Sequence, residues 1–118
     1  SIQLPDNLEE IQGGAFEATG LENLIMPDSV AKCGDQVFAY CSKLKSITLS
    51  ESLITDTNGS EMFKKCLSLT EIHFSGLEAG LNEYDLNGVN IDNLTIYGKS
   101  GSKAATSATR LGIKFVLE

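Results

Sequence analysis

The sequence predicts a solenoid of stacked repeats that share a parallel β-sheet, and two observations lead to this fold class. An opening motif returns along the chain, as Leu4-Pro5-Asp6-Asn7-Leu8 and again as Met26-Pro27-Asp28-Ser29-Val30. The openings at Leu4, Met26, Leu49 and Phe74 lie 22, 23 and 25 residues apart. Periods in the twenties with Leu-x-x-Ile-x-Leu spacing are typical of leucine-rich repeat solenoids.

The closing half of the repeat recurs as faithfully as its opening. Two copies place an aromatic residue, a cysteine and three further apolar residues at identical spacing: Phe38, Cys41, Leu44, Ile47 and Leu49, then Phe63, Cys66, Leu69, Ile72 and Phe74. We therefore predict a single domain over residues 1–118 that winds as a right-handed, β-rich superhelix. Its coils should number about four, with 22–25 residues each, near residues 4–25, 26–48, 49–73 and 74–95.

The repeat resembles that of the BspA-like leucine-rich repeat proteins, Pro-x-Ser-Val-x-x-Ile-Gly-x-x-Ala-Phe-x-x-Cys-x-x-Leu-x-x-Ile. Here it takes the form Pro27-Asp28-Ser29-Val30, Cys33-Gly34, Val37-Phe38, Cys41, Leu44 and Ile47. The resemblance covers nearly the whole chain, although residues 77–89 lack the Ala-Phe-x-x-Cys unit. It implies a secreted or surface-anchored protein, mainly of bacteria, that serves adhesion and protein binding.

The repeats predict which residues face outward on the concave side of the sheet, because side chains alternate along a strand. Two outward columns result: Asn23, Ser46, Glu71 and Asn93 in the first, and Ile25, Thr48, His73 and Thr95 in the second. We expect this face to bind a protein or a glycan. On the other side of each coil, Phe16, Phe38 and Phe63 should stack as a buried column. Gly13-Gly14 and Gly34 should supply tight turns, and residues 56–59 should bulge out of the third coil.

The two ends of the chain differ. Residues 96–118 should form a cap, with a helix over residues 102–111, a left-handed Gly112 after it, and a strand over residues 113–117. At the other end nothing covers the first coil, so we expect a fragment of a longer array that self-associates through this coil.

Three residue clusters raise the question of chemistry, and each has a simpler interpretation. Cys41 and Cys66 are close enough for a disulfide, but a ladder of buried thiols fits a slot that Thr19 shares, and Cys33 should be buried and inert. His73 with Ser46 and Glu71 outlines a triad without an oxyanion hole. The oxygen-rich runs at residues 56–61 and 85–92 resemble calcium loops loosely, and turns explain them better.

Composition excludes several classes of function. A formal net charge of −7 argues against a nucleic-acid partner, which needs a positive surface. No apolar run is long enough for membrane insertion, and no motif calls for a cofactor.

We therefore predict a binding module without enzymatic activity, located at the cell surface or secreted. The alternative is a structural spacer without a ligand of its own, because the predicted face lacks the Trp, Tyr and Arg that dominate binding energies. An accessory domain of an enzyme is a third and weaker hypothesis.

Overall fold

The computed structural model describes residues 2–55 and 61–118, so the bulge predicted at residues 56–59 lies outside the described residues. Within that part of the chain, one α-helix, α1 (Lys103–Leu111), and the 3-10 helices Glu83–Leu86 and Ile91–Asn93 accompany short strands. The strands are β1 (Glu10–Ile11), β2 (Asn23–Ile25), β3 (Lys32–Cys33), β4 (Ser46–Leu49), β5 (Glu71–Phe74), β6 (Thr95–Gly98) and β7 (Lys114–Leu117).

A parallel sheet of five strands forms one side of the molecule, in the order β2-β4-β5-β6-β7. Asn23 lies opposite Ser46, Ser46 opposite Glu71 and Glu71 opposite Thr95, so equivalent residues follow one another by 23, 25 and 24 positions. On another side of the coil, β1 and β3 form a two-stranded parallel ladder. The stacked parallel sheet predicted from the repeats is confirmed.

The core lies behind the sheet and is filled by the residues that the repeat places inward. The middle residues of the strands, Leu24, Ile47, Ile72 and Ile96, are almost completely buried, and so are Leu49 and Phe74 at the strand ends. Val and Ile suit a strand because β-branched side chains lose little rotamer freedom there. Burial of an apolar side chain contributes about 1.5–3 kcal/mol to the free energy of folding. Each short coil obtains this contribution because its apolar side chains pack against those of the neighbouring coils.

The predicted aromatic column is present. The rings of Phe16 and Phe38 stack at 5.7 Å between centroids, and those of Phe38 and Phe63 at 5.8 Å, with interplanar angles of 15° and 8°. Phe38 and Phe63 are fully buried, whereas Phe16, at the end of the column, is only half-buried.

Residues 77–89 depart from the repeat in sequence but keep its backbone phase. Phe38 N–H donates to Met62 O, and Phe63 N–H donates in the same way to Asp85 O. Leu86 follows Asp85 and is buried where the aromatic column continues, and Val89 follows three residues later, as Cys66 follows Phe63. Leu and Val therefore replace Phe and Cys in this coil.

A ladder of thiols runs beside the aromatic column. The Cys41 Sγ–H donates to Phe16 O at 3.0 Å, and the Cys66 Sγ–H donates to Phe38 O at 3.1 Å. Thr19 Oγ1 lies 3.6 Å from Cys41 Sγ, so Thr19 extends the ladder as predicted. All three cysteines are free. The neighbouring Cys41 thiol and burial both raise the pKa of Cys66, which keeps this thiol protonated.

Cys33 is less buried than predicted, whereas its raised pKa agrees with the prediction of an inert thiol. It lies on β3 opposite Ile11 and is half-buried rather than buried, because the β1–β3 ladder is only two residues long on each side. Desolvation nevertheless raises the pKa of Cys33 to about 12, so the thiolate that would react is scarce at neutral pH.

Backbone pairing between coils holds several residues in a conformation that they would otherwise avoid. Ala18, Tyr40 and Lys65 have φ values of 58°, 62° and 61°, at equivalent points of three coils. The left-handed conformation costs a residue with a Cβ about 1–2 kcal/mol. It persists because these three residues donate their N–H groups to the next coil, to Ala39 O, Lys64 O and Asn87 O.

The predicted C-terminal helix and strand are both present, and each begins one residue later than predicted. Ser102 Oγ accepts from Ala105 N–H at the start of α1, and Gly112 ends the helix at φ 72°. The helix packs on β6 and β7, and it buries Ala104, Ser107 and Ala108. Strand β7 then pairs with β6 in parallel, so the cap also extends the sheet by one strand.

Gly34 has a different role from the predicted tight turn. A Cβ at this position would lie 2.2 Å from Gly13 N and 2.6 Å from Gly13 Cα, in the preceding coil. The two glycines therefore allow close approach of two backbones. Gly14, by contrast, does adopt the left-handed conformation at φ 71°.

We predict that Phe38→Ala lowers the free energy of unfolding by about 3–5 kcal/mol, because it removes a fully buried ring between two others. Chemical denaturation monitored by circular dichroism measures the loss. Phe16→Ala is the matched control and should cost clearly less, because Phe16 is half-buried. Equal losses in the two variants would contradict the burial described here.

We predict that Gly34→Ala destabilises the chain by about 1–3 kcal/mol, since the added methyl group meets a backbone that cannot rotate away. Gly20→Ala is the control, because a Cβ there meets nothing within 4 Å. Thermal melts of both variants give the comparison. A Gly34→Ala protein as stable as the Gly20→Ala protein would refute the close approach.

Candidate binding face

The outward side of the five-stranded sheet, termed here the outer sheet face, carries two columns of side chains. The register places them in these rows: Asn23, Ser46, Glu71, Thr95 and Lys114 in the first column, and Ile25, Thr48, His73, Tyr97 and Val116 in the second. Six of the eight predicted face residues, all those on β2, β4 and β5, occupy their predicted columns.

The prediction for the fourth coil is wrong by two positions. Thr95 lies in the first column beside Glu71 and not in the second beside His73, and Asn93 lies off the sheet at the end of a 3-10 helix. The prediction assumed 22 residues in this coil, whereas the register shows 24 between Glu71 and Thr95. The 3-10 helix Ile91–Asn93 lengthens the path into β6, and its exposed residues were mistaken for strand residues.

Tyr97 is the residue that this error concealed. Its ring stacks on the His73 imidazole with 4.2 Å between centroids and 6° between planes. The alternation Leu94-Thr95-Ile96-Tyr97 fits both registers, because they differ by two residues, so this pattern could not place Tyr97.

His73 is the centre of a polar cluster on this face. Its Nε2 lies 2.8 Å from Glu71 Oε1, and its Nδ1 lies 2.9 Å and 3.0 Å from the two carboxylate oxygens of Glu118. Only 20% of the His73 side chain is exposed. In the protonated ring both N–H groups donate to carboxylates, so the imidazole is held in one orientation between β5 and the end of β7.

Opposing effects act on the pKa of His73. Partial burial of the ring lowers the pKa, but the hydrogen bonds and charges of Glu118 and Glu71 outweigh burial. The pKa of His73 therefore lies above its ordinary value of 6.5.

This arrangement does not suit the triad outlined from the sequence. Ser46 lies opposite Glu71 in the register, whereas the residue opposite His73 on β4 is Thr48. Both imidazole nitrogens already contact carboxylates, so neither is placed to take a proton from a hydroxyl group. The two carboxylates therefore hold the imidazole ring in place, and the ring is not positioned to activate a nucleophile.

The oxygen-rich run that begins at Asp85 serves its own backbone. Asp85 Oδ1 accepts from Met62 N–H at 3.1 Å and Asp85 Oδ2 accepts from Asn82 N–H at 3.0 Å. Asn90 Oδ1 accepts from Asp92 N–H at 3.2 Å. These contacts support the turn interpretation. Among the described residues, no three His, Cys, Asp or Glu side chains gather as a metal site would require.

The stacked parallel strands, the buried aliphatic columns and the helical cap define a leucine-rich repeat protein. The family model of the BspA-type leucine-rich repeat region, which comprises six copies, matches residues 1–102. The chain therefore belongs to the BspA-type leucine-rich repeat family, as its resemblance implied. No curated protein and no solved structure matches the chain significantly.

Family membership bounds the function. Leucine-rich repeat domains of this kind typically serve protein interaction and are generally not enzymes. Members of the family are typically secreted or displayed on the surface of bacteria. Over residues 2–55 and 61–118, no helix combines the length and the apolarity that crossing a bilayer demands.

We predict that the pKa of His73, the one histidine of the chain, lies above 6.5 and falls toward this value in Glu118→Gln. Because the folded-state pKa is raised, the cluster stabilises the fold fully below pH 6.5 and loses this contribution as pH rises through the raised pKa. A titration of the imidazole proton resonances by NMR measures the shift.

Glu51→Gln is the matched control for this titration, because Glu51 is exposed in the loop after β4. It removes the same charge and should leave the pKa of His73 unchanged. A normal pKa in the native chain, or an equal shift in both variants, would show that the contact with Glu118 does not form.

Proposed function

We propose that the chain is a protein-binding module whose outer sheet face forms a shallow concave surface for a ligand, in a secreted or cell-surface protein that serves adhesion. The observation that carries this proposal is the continuity of the two columns across five strands. Rigid side chains on a repeating backbone form an extended surface without the entropic cost of ordering loops.

The composition of the face favours a protein ligand with both apolar and polar groups. Ile25 exposes 76% of its surface at one end of the second column, while Thr48, Tyr97 and Val116 are half-buried along it. Tyr97 supplies an aromatic side chain of the kind that dominates binding energies and that the predicted face lacked. The face residues that we propose for binding are therefore Asn23, Ile25, Ser46, Thr48, Glu71, His73, Thr95 and Tyr97.

The spacer hypothesis stays as the second candidate, and one observation favours it. The strongest polar groups of the face, on His73, Glu71 and Glu118, already bond to one another. A ligand would have to break these contacts or bind around them, which reduces the polar groups on offer.

Two features of the whole chain belong to the same proposal. We place about four coils in a right-handed superhelix, with repeats near residues 4–25, 26–48, 49–73 and 74–95 and a cap over residues 96–118. We also propose that the chain self-associates through its N-terminal coil, where Ile2 is 47% exposed and Leu4, Leu8 and Phe16 are only half-buried.

Binding is tested by screening the immobilised chain against purified extracellular matrix and serum proteins and against a glycan array. Any interaction found is then measured with Thr48→Arg, which places a long cation at the centre of the face. The expected loss is about tenfold or more in affinity, from steric exclusion. Ser52→Arg is the matched control, because Ser52 is exposed in the loop after β4 and outside the sheet.

The outcomes separate the two candidate functions. Loss of binding in Thr48→Arg with retention in Ser52→Arg supports the binding module. Equal affinity in both variants would move the binding site away from the outer sheet face. A chain that binds nothing in either screen would favour the spacer.

A further inference from the structure

A cleft, termed here the α1 cleft, lies between the C-terminal helix and the segment that contains the first 3-10 helix. Its volume is about 540 Å³, which falls within the range of roughly 300–1,000 Å³ that ligand sites occupy. Helix α1 forms one wall with Lys103, Ser107 and Arg110, and residues 80–83 with Asp85 form the other. The residues that line the cleft lie outside the strands of the outer sheet face, so this is a separate surface.

Hydrogen bonds between neutral groups fix the floor of the α1 cleft. Gly80 N–H donates to Thr55 Oγ1 at 2.8 Å, and Leu81 N–H donates to Ser107 Oγ at 2.9 Å. The segment approaches α1 closely because Gly80 has no side chain, and a Cβ there would lie 2.7 Å from Ser107 Oγ. The shape of the floor is therefore set before a ligand binds, which lowers the entropic cost of binding.

Arg110 is oriented by the opposite wall of the cleft. One of its Nη2–H groups donates to Leu81 O, while the residue as a whole is exposed. A guanidinium group has several N–H donors, so this bond leaves others for a ligand. Their planar arrangement matches a carboxylate in two parallel hydrogen bonds. Arg110 is therefore positioned to bind a carboxylate.

Lys103 lies two turns earlier on the same side of α1, about 10 Å from Arg110 along the helix axis. Its Nζ is 3.5 Å from Glu78 Oε1, and both side chains are more than half exposed. Such an exposed ion pair contributes little, so a ligand can replace it. Lys103 is also the first residue of the helix, where the positive end of the helix dipole favours an anion. A second carboxylate bound here would meet both the ammonium group and the dipole.

The charges of the two walls differ in sign. Helix α1 contains two cations and no carboxylate, in a chain whose net charge is −7. On the other wall Glu83 is exposed, whereas Asp85 is buried and accepts from Met62 N–H and Asn82 N–H. An acidic ligand is therefore attracted to the helix wall and repelled by Glu83, so charge fixes the side of the cleft on which it lies.

We propose that the α1 cleft binds an acidic peptide segment of a partner protein, with one carboxylate on Arg110 and a second, about 10 Å away, on Lys103. In the polyproline II conformation, residues three positions apart lie on the same side of a peptide and about 9 Å from each other. The segment that fits best therefore has two Glu or Asp residues with two residues between them. This site is a second protein-binding surface, and it does not depend on a ligand for the outer sheet face.

NMR titration of the isotope-labelled chain with capped synthetic peptides tests the proposal. The probe is Ser-Glu-Pro-Pro-Glu-Ser, and Ser-Pro-Glu-Glu-Pro-Ser has the same composition with adjacent carboxylates. We expect the probe to bind about fivefold more tightly than the adjacent peptide, because only its spacing reaches both cations. It should shift the backbone resonances of Leu81, Ser107 and Arg110 and leave those of Thr48 and Tyr97, on the outer sheet face, in place. The neutral peptide Ser-Gln-Pro-Pro-Gln-Ser should not bind measurably.

Substitutions separate the fork of Arg110 from its charge. Arg110→Lys keeps the charge and removes the planar fork, and it should weaken binding of the probe by about fivefold, whereas Arg110→Gln should weaken it by about tenfold or more. Lys103→Gln should remove the preference for the spaced peptide. Lys43→Gln is the matched control, because Lys43 is exposed in the loop before β4 and outside the cleft, and it loses the same charge. Its affinity should change by less than about twofold. The amide spectrum of each variant also shows whether it is folded.

The opposite results overturn specific statements. Cleft resonances that do not shift with the probe, or equal binding of the neutral peptide, would refute the site. Equal affinity for the two acidic peptides would refute the paired contact with Lys103 and Arg110. A loss in Lys43→Gln as large as that in Arg110→Gln would refute a specific site in favour of general attraction between charges. Shifts confined to the outer sheet face would refute the α1 cleft and support the face of the first proposal. Binding in the cleft supports this inference even where the screens find no ligand for that face.

Discussion

Parallel backbone pairing between successive coils is the constraint on which this structure depends. Successive coils meet at the sheet and along the aromatic column, and the first two coils also meet at the β1–β3 ladder; at each place backbone groups bond to the neighbouring coil. A coil with additional residues must therefore carry them between these places. The third coil does so: Leu53 and Phe63 are two residues farther apart than their equivalents Val30 and Phe38.

The sequence was sufficient for those features that depend on period and polarity. Spacing alone predicts the inward columns, the thiol slot, the C-terminal helix that ends at Gly112, and the stacking of Phe16, Phe38 and Phe63. It does so because apolar residues at the same position of successive repeats point to the same side of the coil. The fourth coil was misplaced because its phase is carried by Leu86 and Val89, which resemble ordinary loop-flanking aliphatic residues more than a Phe-x-x-Cys unit. An error of two residues there preserved the alternation, so nothing in the pattern exposed it.

What the sequence could not supply is the pairing of side chains across coils. His73 meets Glu118 although 45 positions separate them, and the intervening column member Tyr97 stacks on the imidazole ring. The contact exists because β7 adds to the sheet as a parallel strand and brings its end beside β6, where Glu118 N–H also donates to Gly98 O at 2.8 Å. The sequence predicts a terminal strand that covers the core, but it does not predict how this strand pairs with β6. Without that pairing, Glu118 cannot be identified as the partner of His73.

The cap therefore does more than cover apolar residues. By continuing the register, β7 adds Lys114 and Val116 to the two columns of the outer sheet face. A cap that crossed the core at an angle would have ended the columns. Because this one runs parallel, the outer sheet face extends without interruption from β2 to β7.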